Sequence, residues 1–154
     1  MAIPFLFRRY ALMACMIIGL SIASTAQVQS RKLPGIINHP SFNHFAPYIS
    51  FDGNALLFVS DEGEDGALVV SYTSRETDWV QSVPLPKHIN HRLTYQRGYS
   101  LSADGRRIYF TGAKTPVVGG YDIMFSDLKG SAWGEPQNML VPINSKSNEG
   151  AASF

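Results

Sequence analysis

Four histidines are the residues of this chain best suited in type to hold a metal ion: His39, His44, His88 and His91. Protein zinc sites place histidine, cysteine or carboxylate ligands at short spacings on one regular element, as in H-E-x-x-H. No second histidine or carboxylate stands at such a spacing here on a predicted helix or strand. We therefore expect histidines that cap turns or face solvent, and no metal cofactor.

An acidic run, DEGEDG at residues 61–66, could in principle bind calcium. The loop of an EF-hand requires Asp or Asn at its third position and Glu at its twelfth. Those two positions are Gly63 and Tyr72 in this run. A solvated turn is therefore the prediction, and a calcium loop is the alternative.

Catalytic patterns are sparse. The chain has no G-x-S-x-G nucleophile elbow, no H-E-x-x-H and no phosphate-binding glycine loop. Asp122, Asp127 and Glu135 could supply paired carboxylates, but their spacing does not bring them together. Tyr121 and Asp122 form a weak candidate ligand-facing pair, and the alternative is that Tyr121 packs after a tight glycine turn. We expect no catalytic residue, no cofactor and no enzymatic activity in this chain.

The N-terminus predicts export. The first ten residues carry two arginines and no acid, and residues 11–23 are apolar or small without interruption. Ser24 and Ala26 place small residues at the two positions that a signal peptidase reads. A cleaved signal peptide over residues 1–26 is the prediction, with a retained membrane anchor as the alternative. Cleavage before Gln27 would leave no membrane span, and the protein would be periplasmic or associated with the outer membrane.

The only cysteine, Cys15, lies within the predicted signal peptide. The mature chain would therefore hold neither a disulfide nor a thiolate site. Thirteen basic and twelve acidic residues are spread without blocks of either sign. This distribution does not favour a nucleic-acid partner.

The elements that must position these residues repeat along the chain. SFDGNALLF at residues 50–58 returns as SADGRRIYF at residues 102–110, and later landmarks return at an offset of fifty-four instead of fifty-two. The pattern places the two-residue slip between Phe58 and Gly66. The repeated positions are Asp52, Gly53, Phe58, Gly66, Trp79 and Asn90, which return as Asp104, Gly105, Phe110, Gly120, Trp133 and Asn144.

Each repeat predicts four antiparallel strands. Asp-Gly between β-rich runs is a strong hairpin signal, because glycine adopts positive φ without strain. The predicted strands are 48–50, 55–59, 67–72 and 79–83 in the first repeat, and 99–102, 107–111, 121–126 and 133–138 in the second. The continuous apolar runs ALLFV and ALVV predict burial on both faces. Four strands in about fifty residues is typical of a β-propeller blade; an immunoglobulin-like sandwich is the alternative.

The order S-x-D-G-x-x-(I/L)-(Y/L)-F, G-G-Y-D-I, W-G-E-P and P-I-N-S-x-S-N-E-G resembles the TolB-like β-propeller repeats. It is most similar to the version found in Bacteroidetes-type cell-envelope proteins. The resemblance implies a linker at 27–37, one blade at 38–90, a second at 91–144, and the start of a third at 145–154. It thus implies an all-β, incomplete propeller that is cut off in mid-strand.

The resemblance also implies a function. Related proteins often join such repeats to an OmpA-like peptidoglycan-binding domain. We therefore expect an exported, non-enzymatic interaction or scaffold module of the bacterial cell envelope with a protein partner. The alternative is the propeller portion of a larger periplasmic hydrolase, with its catalytic domain beyond residue 154. An incomplete propeller would leave faces open, so we expect residues 27–154 alone to associate.

Overall fold

The first S-x-D-G sequence folds into a hydrogen-bonded hairpin turn. The Ser50 hydroxyl donates to Asp52 Oδ1 at 2.6 Å and accepts the N–H of Ala55 at 2.9 Å. The same Asp52 oxygen accepts the N–H of Asn54 at 3.0 Å. Gly53 has φ +72°, a conformation that costs a residue with a side chain energy and costs glycine little. The computed structural model from which this geometry comes describes residues 30–113 and 120–150.

The second S-x-D-G turn contains the same bonds. Ser102 donates to Asp104 Oδ1 at 2.6 Å and accepts the N–H of Arg107 at 2.9 Å, and Asp104 accepts the N–H of Arg106 at 3.1 Å. Gly105 has φ +66°. In both turns the serine hydroxyl, followed by the backbone N–H, lowers the pKa of the carboxyl group. Both predicted hairpins are therefore present, and the repeated sequence folds into the same local structure in each copy.

The chain is mostly β, in two antiparallel sheets. The first sheet contains β1 (His44–Ile49), β2 (Ala55–Ser60), β3 (Val69–Ser74) and β4 (Val83–Pro84) in that order. The second contains β5 (Tyr99–Leu101), β6 (Arg107–Ala113), β7 (Tyr121–Lys129) and β8 (Ala132–Trp133), with β9 (Gln137–Asn138) also paired to β7. A helix of one turn, α1 (Lys87–Asn90), and short 3-10 turns at Glu64–Gly66 and Tyr95–Arg97 lie in the connections.

Several predicted strand limits were wrong. β1 begins at His44, four residues before its predicted start, and β3 begins at Val69 instead of residue 67. The predicted fourth strands are interrupted: Trp79 forms only an isolated bridge with Arg75 before β4, and residues 134–136 separate β8 from β9. The pairing register with β7 shifts by one residue at this break, because Leu128 pairs with Trp133 but Phe125 pairs with Gln137.

The slip between the repeats is also distributed differently from the prediction. Phe58 pairs with Ser71 in the first sheet, and Phe110 pairs with Met124 in the second. The third strands are therefore fifty-three positions apart, so the loop before them accounts for only one of the two extra residues. The other lies in the turn that precedes the repeated tryptophan.

The main core lies between the two sheets. One face of β2, with Ala55, Leu57 and Val59, belongs to the same buried cluster as Ile108 and Phe110 of β6. Its other face, with Leu56 and Phe58, is buried against Ile37 and Trp79. The burial of ALLFV on both faces is confirmed. The same prediction for ALVV was wrong, since its first two residues precede β3 and are exposed.

Three expectations fall on residues that lie outside the described part of the chain. These are the signal peptide at 1–26 with Cys15, the first three residues of the linker at 27–37, and the last four residues of the predicted third blade. The described residues from Leu33 to Gly150 form one compact unit. Within residues 30–113 and 120–150, no helix has the length and apolar character needed to cross a membrane.

The two repeated glycines should respond differently to alanine. A Cβ on Gly105 would lie 2.3 Å from the Ala55 Cβ, whereas one on Gly53 would meet nothing closer than 3.6 Å. We expect both substitutions to cost about 1–2 kcal/mol from the positive φ, and Gly105→Ala at least about 1 kcal/mol more from overpacking. Urea unfolding of the two variants measures this difference. Equal losses would contradict the close contact between the turns.

Candidate functional site

The repeated asparagine Asn90 anchors a connector to the first sheet. Its Oδ1 accepts the N–H of Val70 at 2.9 Å. Its Nδ2 donates to the carbonyls of Val70 at 3.2 Å and Leu85 at 2.7 Å. The side chain thus fixes α1 to the third strand.

Asn144 makes corresponding bonds in the second sheet. Its Oδ1 accepts the N–H of Ile123 at 2.9 Å, and its Nδ2 donates to the Ile123 carbonyl at 2.8 Å and to Asn138 Oδ1 at 2.7 Å. Each asparagine therefore pairs with both backbone groups of one residue in a third strand. This arrangement gives the sequence repeat at these positions a structural explanation.

The weak ligand candidates, Tyr121 and Asp122, lie in packed surroundings. The Arg97 guanidinium stacks 3.9 Å from the centre of the Tyr121 ring. Asp122 is 6 % exposed and accepts a hydrogen bond from Asn138 Nδ2 at 2.7 Å. Alternation along β7 directs these neighbours to opposite faces. The geometry therefore favours a packing role for both side chains over a shared ligand site.

The other candidate carboxylates are not brought together. Asp127 lies on the opposite face of β7 from Asp122, because they are five positions apart on one strand. Glu135 is exposed between β8 and β9. No pair suited to general acid–base catalysis is formed by these three residues.

The four histidines occupy separate environments. His39 Nδ1 accepts the N–H of Ser41 at 3.3 Å, and the His44 ring lies 4.7 Å from that of Phe58. His88 Nε2 is 3.1 Å from the Gly134 carbonyl, so this nitrogen carries the proton, and His91 is exposed. Across residues 30–113 and 120–150, no group of three or more His, Cys, Asp or Glu is arranged to hold a metal ion.

The acidic run is a structured turn. Asp61 accepts the side-chain amide of Asn43 at 2.7 Å and its backbone N–H at 2.8 Å, which together lower the pKa of the carboxyl group. Glu62 accepts the Ser71 hydroxyl, and Glu64 pairs with Lys87 at 3.4 Å. These carboxylates are thus directed to protein donors instead of converging on one point.

The repeated tryptophans pack against protein. Trp133 is 9 % exposed and meets Tyr72 of the first sheet edge-on, with ring centres 5.2 Å apart. Trp79 packs beside Phe58, and Arg75 lies 4.9 Å from its ring centre. Neither ring forms an open platform of the kind that binds sugars.

The strongest candidate site is a sheet surface that the sequence did not single out. We call it the outer face of the second sheet, the face directed away from the first sheet. It contains three cross-strand pairs: Arg107 with Asp127, Tyr109 with Phe125, and Thr111 with Ile123. Ile143 of the following connector directly precedes Asn144, whose side chain bonds Ile123 of this face, just as Ile89 precedes Asn90.

The ion pair of Arg107 and Asp127 lies at one end of this face. Arg107 Nε lies 2.5 Å from Asp127 Oδ1, and its Nη2 lies 3.0 Å from Oδ2. The pairing lowers the pKa of Asp127 and raises that of Arg107. The guanidinium also stacks 4.4 Å from the centre of the Phe125 ring. Both charged side chains remain about one-third exposed, at 38 % and 30 %.

The equivalent face of the first sheet is largely covered, with only Tyr72 and Ser74 partly exposed. Its three pairs are Ala55 with Ser74, Leu57 with Tyr72, and Val59 with Val70. Leu57 and Ile89 are both 0 % exposed in the core between the sheets, whereas Ile143 is 47 % exposed. The outer face of the second sheet therefore corresponds in position to a surface that the first sheet buries against a neighbouring sheet.

No family model, curated protein or solved structure matches this chain. The function of this chain is therefore inferred from the geometry of the described residues and from the sequence pattern. A signal for the Arg107–Asp127 pair was available in the sequence, since opposite charges stand where a hairpin register would place them across from each other. The stacking of Arg107 on Phe125 required coordinates, because register does not determine side-chain rotamers.

Proposed function

We propose that this chain is an exported, non-enzymatic β-propeller segment of TolB-like repeats that serves as a protein-interaction or scaffold module of the bacterial cell envelope. The two sheets would be consecutive blades, and the protein would be periplasmic or associated with the outer membrane. A peptidoglycan-associated protein is one class of partner that the resemblance suggests.

One observation carries the interaction role. The outer face of the second sheet is equivalent to the face that the first sheet buries, yet Ile143 remains 47 % exposed where Ile89 is 0 % exposed. An exposed apolar centre with a polar border is the usual composition of a protein-binding surface. The scattered candidate carboxylates and histidines support the non-enzymatic part of the proposal.

Export and interaction can be tested in one experiment in a Gram-negative host. We expect the protein in the periplasmic or outer-membrane fraction, with its N-terminus at or near Gln27 by mass spectrometry. A photo-cross-linking amino acid at position 143 should capture an envelope protein in intact cells. The same group at Glu76, an exposed position in the turn after β3, is the control and should capture little. Full-length protein in the cytoplasm, or lipid attached to Cys15, would refute the export part.

A further inference from the structure

The outer face of the second sheet is not suited to stack as the first sheet does. On the first sheet, Ala55 receives the Gly105 turn at close range, and the Tyr72 hydroxyl lies 3.4 Å from the Gly105 carbonyl oxygen. On the outer face, Arg107 stands in the place of Ala55 and Phe125 in that of Tyr72. A glycine turn approaching in the same way would meet a guanidinium group and find no hydroxyl. The turn contact that joins the first sheet to the second is therefore not repeated on this face.

Charge on this face is mixed and nearly balanced. A shallow depression is lined by three basic and two acidic side chains, namely Arg106, Arg107, Lys129, Asp104 and Asp127. A patch that carries both signs side by side can pair with itself, because a two-fold rotation brings each base opposite an acid of the other copy. A partner with one sign of charge would leave some of these groups facing like charge.

The centre of the face supplies apolar area for such a contact. Tyr109 and Phe125 form a cross-strand pair and are half-buried, and Ile143 is 47 % exposed. Tyrosine, phenylalanine and arginine are enriched in protein interfaces, where an apolar centre is surrounded by a polar border. The apolar centre and the mixed charges of this face therefore both favour a protein partner that carries the same kind of surface.

We propose that a second copy of this chain binds the outer face of the second sheet across a two-fold axis, with Arg107 of each copy facing Asp127 of the other. This inference deepens the proposed function, on whose interaction role it rests, by naming the partner. In the dimer each guanidinium has an acid on both sides, and the two apolar centres cover each other.

Charge reversal provides the test, measured by size exclusion with light scattering on the purified protein over a range of concentrations. The unchanged protein should dimerise. Arg107→Asp places two acids at the paired positions, and Asp127→Arg places two bases there. Each variant alone should dimerise at least about tenfold more weakly, since like charges then face each other. An equal mixture of the two variants should recover the dimer, because every facing pair again has opposite signs.

A second ion pair serves as the matched control. Glu64 and Lys87 are 3.4 Å apart on the first sheet and are more than 80 % exposed, at 83 % and 82 %. The changes Glu64→Arg and Lys87→Asp should leave the dimer unaltered. If a charge variant at position 107 or 127 loses its β-sheet circular dichroism, Ile143→Lys tests the same face and should also weaken the dimer.

Three results would each overturn the inference: a monomer at all concentrations, charge variants that still dimerise, or folded variants whose mixture stays monomeric. A monomer that is still exported and cross-linked through position 143 to another envelope protein would leave the proposed function standing. A protein that stays in the cytoplasm and nevertheless forms this dimer would refute the proposed function and leave the dimer standing.

Discussion

Phe110→Ala should lower the free energy of unfolding by about 3–5 kcal/mol, the usual cost of removing a buried aromatic ring from a core. Phe110 is 1 % exposed and belongs to the cluster that joins the two sheets. Part of the loss is the favourable free energy of burying the ring, which the variant no longer gains on folding. The other part comes from the cavity that close-packed neighbours cannot fill. Because a domain is stable by only about 5–15 kcal/mol, this single change would remove a large fraction of the stability.

Urea unfolding at one protein concentration measures this loss, with circular dichroism as the signal. Tyr109→Ala is the matched control, because Tyr109 is the adjacent residue of β6 and lies half-buried on the opposite face. We expect it to cost less than Phe110→Ala. A loss of less than about 1 kcal/mol at Phe110 would contradict a core shared by the two sheets.

Asn90→Ala should also destabilise the protein, by about 2–5 kcal/mol. The change removes three hydrogen bonds, to the N–H and carbonyl of Val70 and to the carbonyl of Leu85. Val70 and Leu85 are 1 % and 3 % exposed, so water has little access to replace the lost partners. Each buried polar group left without a partner costs about 1–3 kcal/mol.

Asn38→Ala controls for the loss of an asparagine side chain. Asn38 donates one hydrogen bond, to the Leu33 carbonyl at 2.9 Å, in an exposed setting. We expect a cost of about 1 kcal/mol or less there. Similar losses for the two variants would show that Asn90 does not anchor the connector to β3 in the way described.

The features that the sequence predicted well are short-range. Both Asp-Gly hairpins form with the same serine, aspartate and glycine contacts, and the residues concerned are within five positions of one another. The all-β class follows from the same turns and from the apolar runs between them. The burial of β2 on both faces was also readable, because ALLFV shows no alternation.

The features that the sequence predicted less well depend on contacts between distant residues. The limits of β1 and β3 and the interruption of the fourth strands follow from pairing with a neighbouring strand, which propensity does not specify. The asparagines were recognised as repeated positions, yet their bonds to Val70 and Ile123 join residues about twenty positions apart. Tyr121 and Asp122 were adjacent candidates in the sequence. In the structure Tyr121 packs against Arg97, and Asp122 is buried and bonded to Asn138.

The sequence by itself determined the repeat, the two turns and the class of fold, because these depend on backbone preferences that a few neighbouring residues set. Tertiary structure alone decided which sheet faces are covered. Ile89 and Ile143 occupy the same place in the repeat, and only the first lies beneath another sheet. Likewise Ala55 and Arg107 occupy equivalent positions in the two repeats. The structure shows why the difference matters, because the Gly105 turn packs closely against Ala55 and an arginine would occupy that space. Solvent exposure is a property of the neighbours that surround a residue in space, and local sequence does not specify those neighbours.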